Sequence, residues 1–415
     1  MKFHSLKKSI FTSISIFFYS STIIFAQNSI NNTNADVTGR LTEIENGLKP
    51  IQTAVPFLTI APDARGASLG DQGVATTPDE YSAHWNPGKL AQINKDFGVA
   101  LTYNPWLAKI VDDMSLVYLT GYYKLRKVDA ISLSLTYFNL GKITFTDNNG
   151  GVVLDYNPRE FSAMGTYSRV LGKGFSGGLS LKYIFSDLSG NFSNNAGTQT
   201  RPGQAAAADI GFYYNRDLVI DDRDFNIAAG IAITNIGNKI SYSSSSRADF
   251  IPTTLRLGTV LTHQVDEYNK FSLALQATKL MVPSSEVLYT DTTGGKQRLP
   301  YLAAPNKNLV NGMFSSFSDA PFGAQEELRE IMYSVGMEYW YDNMFAVRGG
   351  YFYEDVQKGG RKYFTVGIGV RYQTVGLDMA YLIATERTNP LAESFRFALS
   401  FNFENKTKQL DSVIE

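Results

Sequence analysis

The chain contains no cysteine. That excludes a disulfide framework, a thiolate metal site, a cysteine nucleophile and a lipid-modified N-terminal cysteine. Histidine is almost as scarce. Beyond the first few residues only His84 and His263 remain, so catalysis resting on imidazole has little to work with. Charged residues make up 19% of the chain and the formal net charge is −1. There is no electrostatic footprint for nucleic acid, and no nucleic-acid partner is expected. No Walker loop, zinc signature or dinucleotide fingerprint occurs, so neither a metal nor a cofactor is expected. After residue 26 there is also no run of about 18 apolar residues, the length a membrane-spanning helix requires.

What is present starts with a basic Lys2, Lys7 and Lys8, an apolar stretch from Ile10 to Phe25, and Ala26 before the polar Gln27. This pattern predicts a secretory signal at 1–26, cleaved after Ala26. Residues 27–50 are rich in Asn and Thr and read as a flexible leader. Residues 51–95 hold Pro62, Pro78, Pro87, Gly66, Gly70 and Gly73 with no sustained period. They predict a compact irregular segment with at most a short helix.

From Phe97 the pattern turns to period two. Ile131, Leu133, Leu135 and Tyr137 alternate with Ser132, Ser134 and Thr136, and Phe395, Phe397, Leu399, Phe401 and Phe403 alternate with Arg396, Ala398, Ser400 and Asn402. A strand sends these two sets to opposite faces. Most such segments run about nine to eleven residues, enough for a tilted strand to cross a bilayer, whereas strands in soluble proteins average nearer five or six. Short connections such as Asp342-Asn343 and Gln373-Thr374 alternate with long ones, the longest near 280–331. That asymmetry belongs to outer-membrane barrels. The expected fold is therefore all-β: a transmembrane antiparallel β-barrel of about fourteen strands over 96–404, with both ends periplasmic and a tail at 405–415. Tyr103, Trp106, Tyr339, Trp340, Tyr341, Tyr351, Tyr353, Tyr363 and Tyr372 fall near strand ends, as interfacial girdles require.

With the apolar face outward, the lumen receives Lys182, Asp209, Arg256, Glu338, Arg348, Arg371, Asp378 and Arg396. Both signs are present, whereas an ion-selective pore tends to show one. These charges are expected to pair with each other or with a plug. A barrel of this size is too wide for its own side chains to fill, so the 51–95 segment is the expected plug. The motif Gly66-Ala67-Ser68-Leu69-Gly70 has the spacing of a nucleophile elbow, which needs a strand before it and a helix after it. Here Pro62-Asp63-Ala64 precedes, and no enzyme is expected. Asp112-Asp113, and Asp221-Asp222 with Asp224, lack the spacing of a calcium loop and read as solvated turns. The longest connection carries Leu309, Val310, Met313, Phe314, Phe317 and Phe322 among small residues. Such an apolar cluster in a long external loop is a candidate surface for a partner or cargo.

Ala54-Val55-Pro56-Phe57-Leu58, Ala61-Pro62-Asp63-Ala64-Arg65, Gly70-Asp71-Gln72-Gly73-Val74-Ala75 and Ala83-His84-Trp85-Asn86-Pro87 together resemble the N-terminal signature of the PorV (LptO) family. These are outer-membrane proteins of the type IX secretion system in Bacteroidota, within the broader FadL-like barrels. The Gly88-Lys89 that follows departs from many FadL-like proteins, which have Ala after Asn-Pro. The resemblance implies an accessory shuttle subunit. It would bind the C-terminal signal domain of cargo at the large outer-membrane translocon barrel and deliver it to a sortase-like attachment complex, with outer-membrane lipid around its wall. The alternative is a FadL-like transporter of hydrophobic solutes such as long-chain fatty acids.

Overall fold

The computed structural model describes residues 50–107, 113–146, 151–188, 190, 200–243, 248–284, 288–290, 296–298, 307–385 and 394–404. The expected signal segment, most of the leader, Asp112 and the C-terminal tail lie outside the described residues.

Among the described residues eighteen strands follow one another: β1 (Phe97–Pro105), β2 (Met114–Arg126), β3 (Asp129–Leu140), β4 (Ile143–Thr146), β5 (Val152–Tyr156), β6 (Arg159–Gly172), β7 (Phe175–Asp187), β8 (Gly203–Ile220), β9 (Arg223–Gly237), β10 (Thr254–Gln264), β11 (Asn269–Leu280), β12 (Leu288–Thr290), β13 (Lys296–Arg298), β14 (Ile331–Tyr341), β15 (Phe345–Tyr353), β16 (Lys362–Tyr372), β17 (Val375–Ala384) and β18 (Phe395–Phe403). Fourteen of them form one closed antiparallel barrel. The pairs β4–β5 and β12–β13 are separate hairpins in the long connections. Closure is made by β1 on β18, in register from Phe97↔Phe403 to Tyr103↔Phe397.

Period two builds the wall. In β3, Ile131, Leu133 and Leu135 are exposed on the outside while Ser132 and Ser134 are buried inside, and β16 and β18 repeat the pattern. The outer face is a continuous apolar belt, and Leu181 is 75% exposed on it. A belt of this kind is stable against acyl chains, not against water. Outward aromatic rings pair across strands, with Phe271 and Tyr339 at 4.6 Å and Tyr351 and Phe364 at 4.8 Å between centroids. Trp340 and Tyr363 depart from the girdle expectation. Their parity in β14 and β16 turns both inward, where they are buried.

Several strands run longer than the alternation alone suggests. β8 has 18 residues and β9 has 15. Backbone pairing continues past the apolar belt because ladder hydrogen bonds need no alternation of side chains. Asp221 and Asp222, the acidic pair between these strands, form their two-residue turn with φ of 49° and 59°. Asp342 and Asn343 do the same between β14 and β15. Such left-handed pairs match the twist of a hairpin and favour Asn and Asp.

Residues 50–95 lie against the inner wall. Two short helices, α1 (Ala64–Ser68) and α2 (Ser82–Trp85), and two 3-10 turns, Pro56–Thr59 and Pro87–Gln92, are joined by tight loops and are almost wholly buried. α1 packs against β15 to β18, and Pro87–Gln92 against β3 and β6 to β8.

Candidate functional site

The segment inside the barrel is held by side chains from its own signature. Asp63 caps α1 by accepting from Gly66 N at 2.5 Å, and also accepts from Trp85 Nε1 at 2.7 Å. Asn86 accepts from Gly88 N at 2.9 Å and donates to Val74 O at 3.0 Å and to the wall at Phe212 O at 2.9 Å. Lys89, fully buried, donates to Gly73 O at 2.7 Å and Thr76 Oγ1 at 2.9 Å. The wall answers with backbone-directed bonds. Gln276 Oε1 accepts from both Gly73 N and Val74 N, and Ser176 Oγ donates to Gly88 O at 2.6 Å. Wall and segment approach so closely that a Cβ at Gly230 or Gly350 would collide with the backbone of Val74 or of Leu69-Gly70.

Four of the inward charges form a chain with Arg65 along the neighbouring strands β14 to β17. Arg65 of α1 grips Glu338 with two bonds, at 3.0 and 2.8 Å, and also donates to Asp79 at 2.9 Å. Glu338 then accepts from Arg348 at 2.6 Å, Arg348 donates to Asp378 at 2.7 Å, and Arg371 closes on Asp378 at 2.5 Å. Trp340 lies beneath, its ring centroid 5.3 Å from the Arg348 guanidinium and 5.7 Å from that of Arg371. Arg396 donates to Asp71 and to Ala61 O of the inner segment, and Tyr363 donates to the same aspartate. Lys182 pairs with Asp209 at 3.2 Å within the wall. Arg256 differs: it donates to Thr234 Oγ1 at 2.8 Å and faces the Trp85 ring, with no carboxylate in salt-bridge range among the described residues. Of the eight, Glu338, Arg396 and Arg256 meet the inner segment directly. Arg348, Asp378, Arg371, Lys182 and Asp209 bond to other wall residues.

Ser68 of the elbow-like motif is fully buried in α1 and donates to Arg65 O at 2.7 Å. Among the described residues no strand precedes it, so this local geometry is a helix turn and not a nucleophile elbow.

At the end of the barrel that carries the long connections, the 281–330 loop contributes α3 (Leu309–Ser315) and α4 (Ala324–Arg329). Val310 and Phe314 stand four residues apart on one face of α3, and Phe314 is 68% exposed. Phe317 just beyond α3, and Leu328 on α4, are exposed too. Leu309 and Phe322 are half-buried. Met313 is a correction to the candidate surface: it points the other way and is 7% exposed. The face of α3 opposite Phe314 is packed inward, and Gly312 lies so near Phe250 and Pro283 that a side chain would strike the Phe250 ring. Ion pairs that the sequence reading missed moor the loop. Lys279, at the end of β11, holds Glu330 at 2.6 Å and Glu327 at 3.1 Å. Lys358, in the β15–β16 connection, holds Glu326 at 2.7 Å and Glu330 at 2.9 Å. Burial is the main cause that raises the Glu327 carboxyl above its ordinary value. The only sequence signal was a Glu-rich turn, and its basic partners sit elsewhere in the chain.

Compared with protein families, residues 43–287 match the model described as "Type IX secretion system protein PorV". The chain belongs to the PorV family. For this PorV-family chain the apolar outer belt is the face of an outer-membrane barrel. No curated protein sequence matches it. Among solved structures it is similar to the Pseudomonas putida toluene transporter TodX, at 12% identity and a TM-score of 0.47, covering 82% of this chain and 97% of that one. It is also similar to the Ralstonia pickettii toluene transporter TbuX, at 12% and 0.44, covering 84% and 100%. A Pseudomonas aeruginosa FadL homologue follows at 11% and 0.41, covering 86% and 100%. Likeness at this level carries no argument about what this chain transports or binds.

Proposed function

We propose that this chain is a non-enzymatic shuttle subunit of the type IX secretion system in the outer membrane of a Bacteroidota cell. Its loop surface binds the C-terminal signal domain of cargo at the large translocon barrel and passes the cargo to a sortase-like attachment complex. The observation that carries this reading is the exposed apolar set Val310, Phe314, Phe317 and Leu328, in a loop whose α4 turn is held by buried ion pairs. An exposed apolar patch on a moored element is suited to a protein partner, because little ordering entropy is lost on docking. The segment 51–95 serves as the plug, and the bonds it makes to the wall weigh against a continuous path for hydrophobic solutes.

Replacing Phe314 and Phe317 by Asp tests the surface. Burying each phenylalanine contributes about 1.5–3 kcal/mol, so recovery of a cargo C-terminal domain, of the translocon, or of both is expected to fall at least ten-fold in pull-downs. The heat-modifiable gel mobility of the barrel should not change. Unchanged recovery of both partners from a folded barrel refutes the assignment. Deleting the protein separates shuttle from transporter. Periplasmic accumulation of cargo supports the shuttle, and normal secretion with poor long-chain fatty-acid uptake supports the transporter.

A further inference from the structure

Natural proteins pair their buried charges, because an uncompensated charge in a low dielectric is costly. Seven of the eight inward charges named above follow that rule, and Arg256 does not. The residue is 4% exposed, uses one N–H on Thr234 and sets its guanidinium carbon 5.6 Å from the Trp85 ring centroid. It lines a cavity of about 70 Å³ between the inner segment and the loop-end halves of β10, β11 and β14 to β16. A single water needs roughly 10–15 Å³ by the same measure, so several waters or a small organic group fit and a long acyl chain does not.

The remaining walls are of two kinds. On the polar side Thr254 donates to Pro252 O and Gln276 bonds to the inner segment and to Thr278, whose hydroxyl accepts there and keeps its own proton to donate, and Leu280, Met332 and Phe352 supply an apolar side. The other charged groups in the lining are already paired: Arg361 with Glu354 at 2.8 Å, and Asp71 with Arg396 at 3.0 Å and with Tyr363. A cation with donors to spare, the neighbouring Thr278 hydroxyl and an apolar flank match a carboxylate carrying a short hydrocarbon substituent.

We infer that this cavity is a carboxylate-binding subsite in which Arg256 is the anchoring cation. Its occupant is a compact carboxylate, supplied either by a small free acid or by the end of a polypeptide chain. The inference does not rest on the loop-surface reading, which the pull-downs test separately.

Isothermal titration of the full chain in detergent tests it, with propionate, with N-acetyl-Ala-Val as the free acid, and with the same dipeptide as its C-terminal amide. At least one acid is expected to bind, the amide to bind at least ten-fold more weakly, and Arg256→Gln to weaken the acid at least ten-fold. Binding of propionate alone assigns the site to small free acids, and binding of the dipeptide acid alone assigns it to chain ends. Both readings uphold the subsite. Equal binding of acid and amide, no binding of either acid, or unchanged acid binding in Arg256→Gln overturns it. Should Arg256→Gln fail to fold, the comparison of acid with amide on the unaltered protein decides.

Discussion

Arg65 carries more of the lumen than any other side chain. Its guanidinium serves Glu338, Asp79, and both the backbone and the hydroxyl of Thr77. It therefore ties the inner segment to itself and to β14 at once. Replacing Arg65 by Met keeps the stem but leaves Asp79 without its salt bridge and Glu338 with Arg348 alone. Breaking a buried pair from one side costs about 3–5 kcal/mol, so the urea midpoint of the purified barrel is expected to fall clearly. A midpoint within error of the unaltered protein shows that the pair contributes nothing net. The sequence placed Glu338, Arg348 and Asp378 on the inward face from parity alone. It could not say that they form one chain, because Arg65 and Glu338 are 273 residues apart and only closure of the barrel brings them together.

The inner segment shows how an element can be specified by its surroundings as much as by itself. Its own signature residues, Asp63, Trp85 and Asn86, bond within the segment, while the wall supplies both hydrogen-bond partners and clearance. Clearance comes from glycine. At Gly230 a Cβ would meet Val74 O and the Asn86 amide, whereas at Gly165, on the outer face of β6, nothing lies within 4 Å. This gives a matched pair of substitutions. Gly230→Val is expected to dislodge the segment and open it to added protease in detergent, while Gly165→Val should leave the digestion pattern unchanged. Equal resistance of the two variants removes the wall glycine from the account. The loop helices follow the same logic, since Lys279 and Lys358 come from outside α4, which they hold, and α3 packs through Gly312 against Phe250. Period and composition exposed the cluster as apolar, yet they could not show that Met313 turns inward while Phe314 turns out.

A fourteen-stranded barrel encloses more space than inward side chains can fill. Here a separate stretch of the same chain occupies it, bonded around most of the wall. The protein reconstituted in a planar bilayer is therefore expected to show no steady conductance, and Gly230→Val to show openings above baseline. A stable open conductance from the unaltered protein contradicts a filled lumen. On the proposed function the working surface lies at the loop end, and the cavity beside Arg256 lies toward that same end.

Strand alternation, strand length and the rhythm of short and long connections are local properties, and they determined the barrel, its strand number and the face each wall residue takes. The turn residues Asp221-Asp222 and Asp342-Asn343 were equally local. Sequence position near a strand end was not enough for Trp340 and Tyr363, since a strand end offers an inner and an outer face and parity chose the inner. The tertiary structure decided which charges meet, how closely wall and inner segment approach, and that among the described residues Arg256 has no carboxylate in salt-bridge range. Those depend on distances between residues far apart in the chain, which exist only once the barrel has closed around the segment inside it.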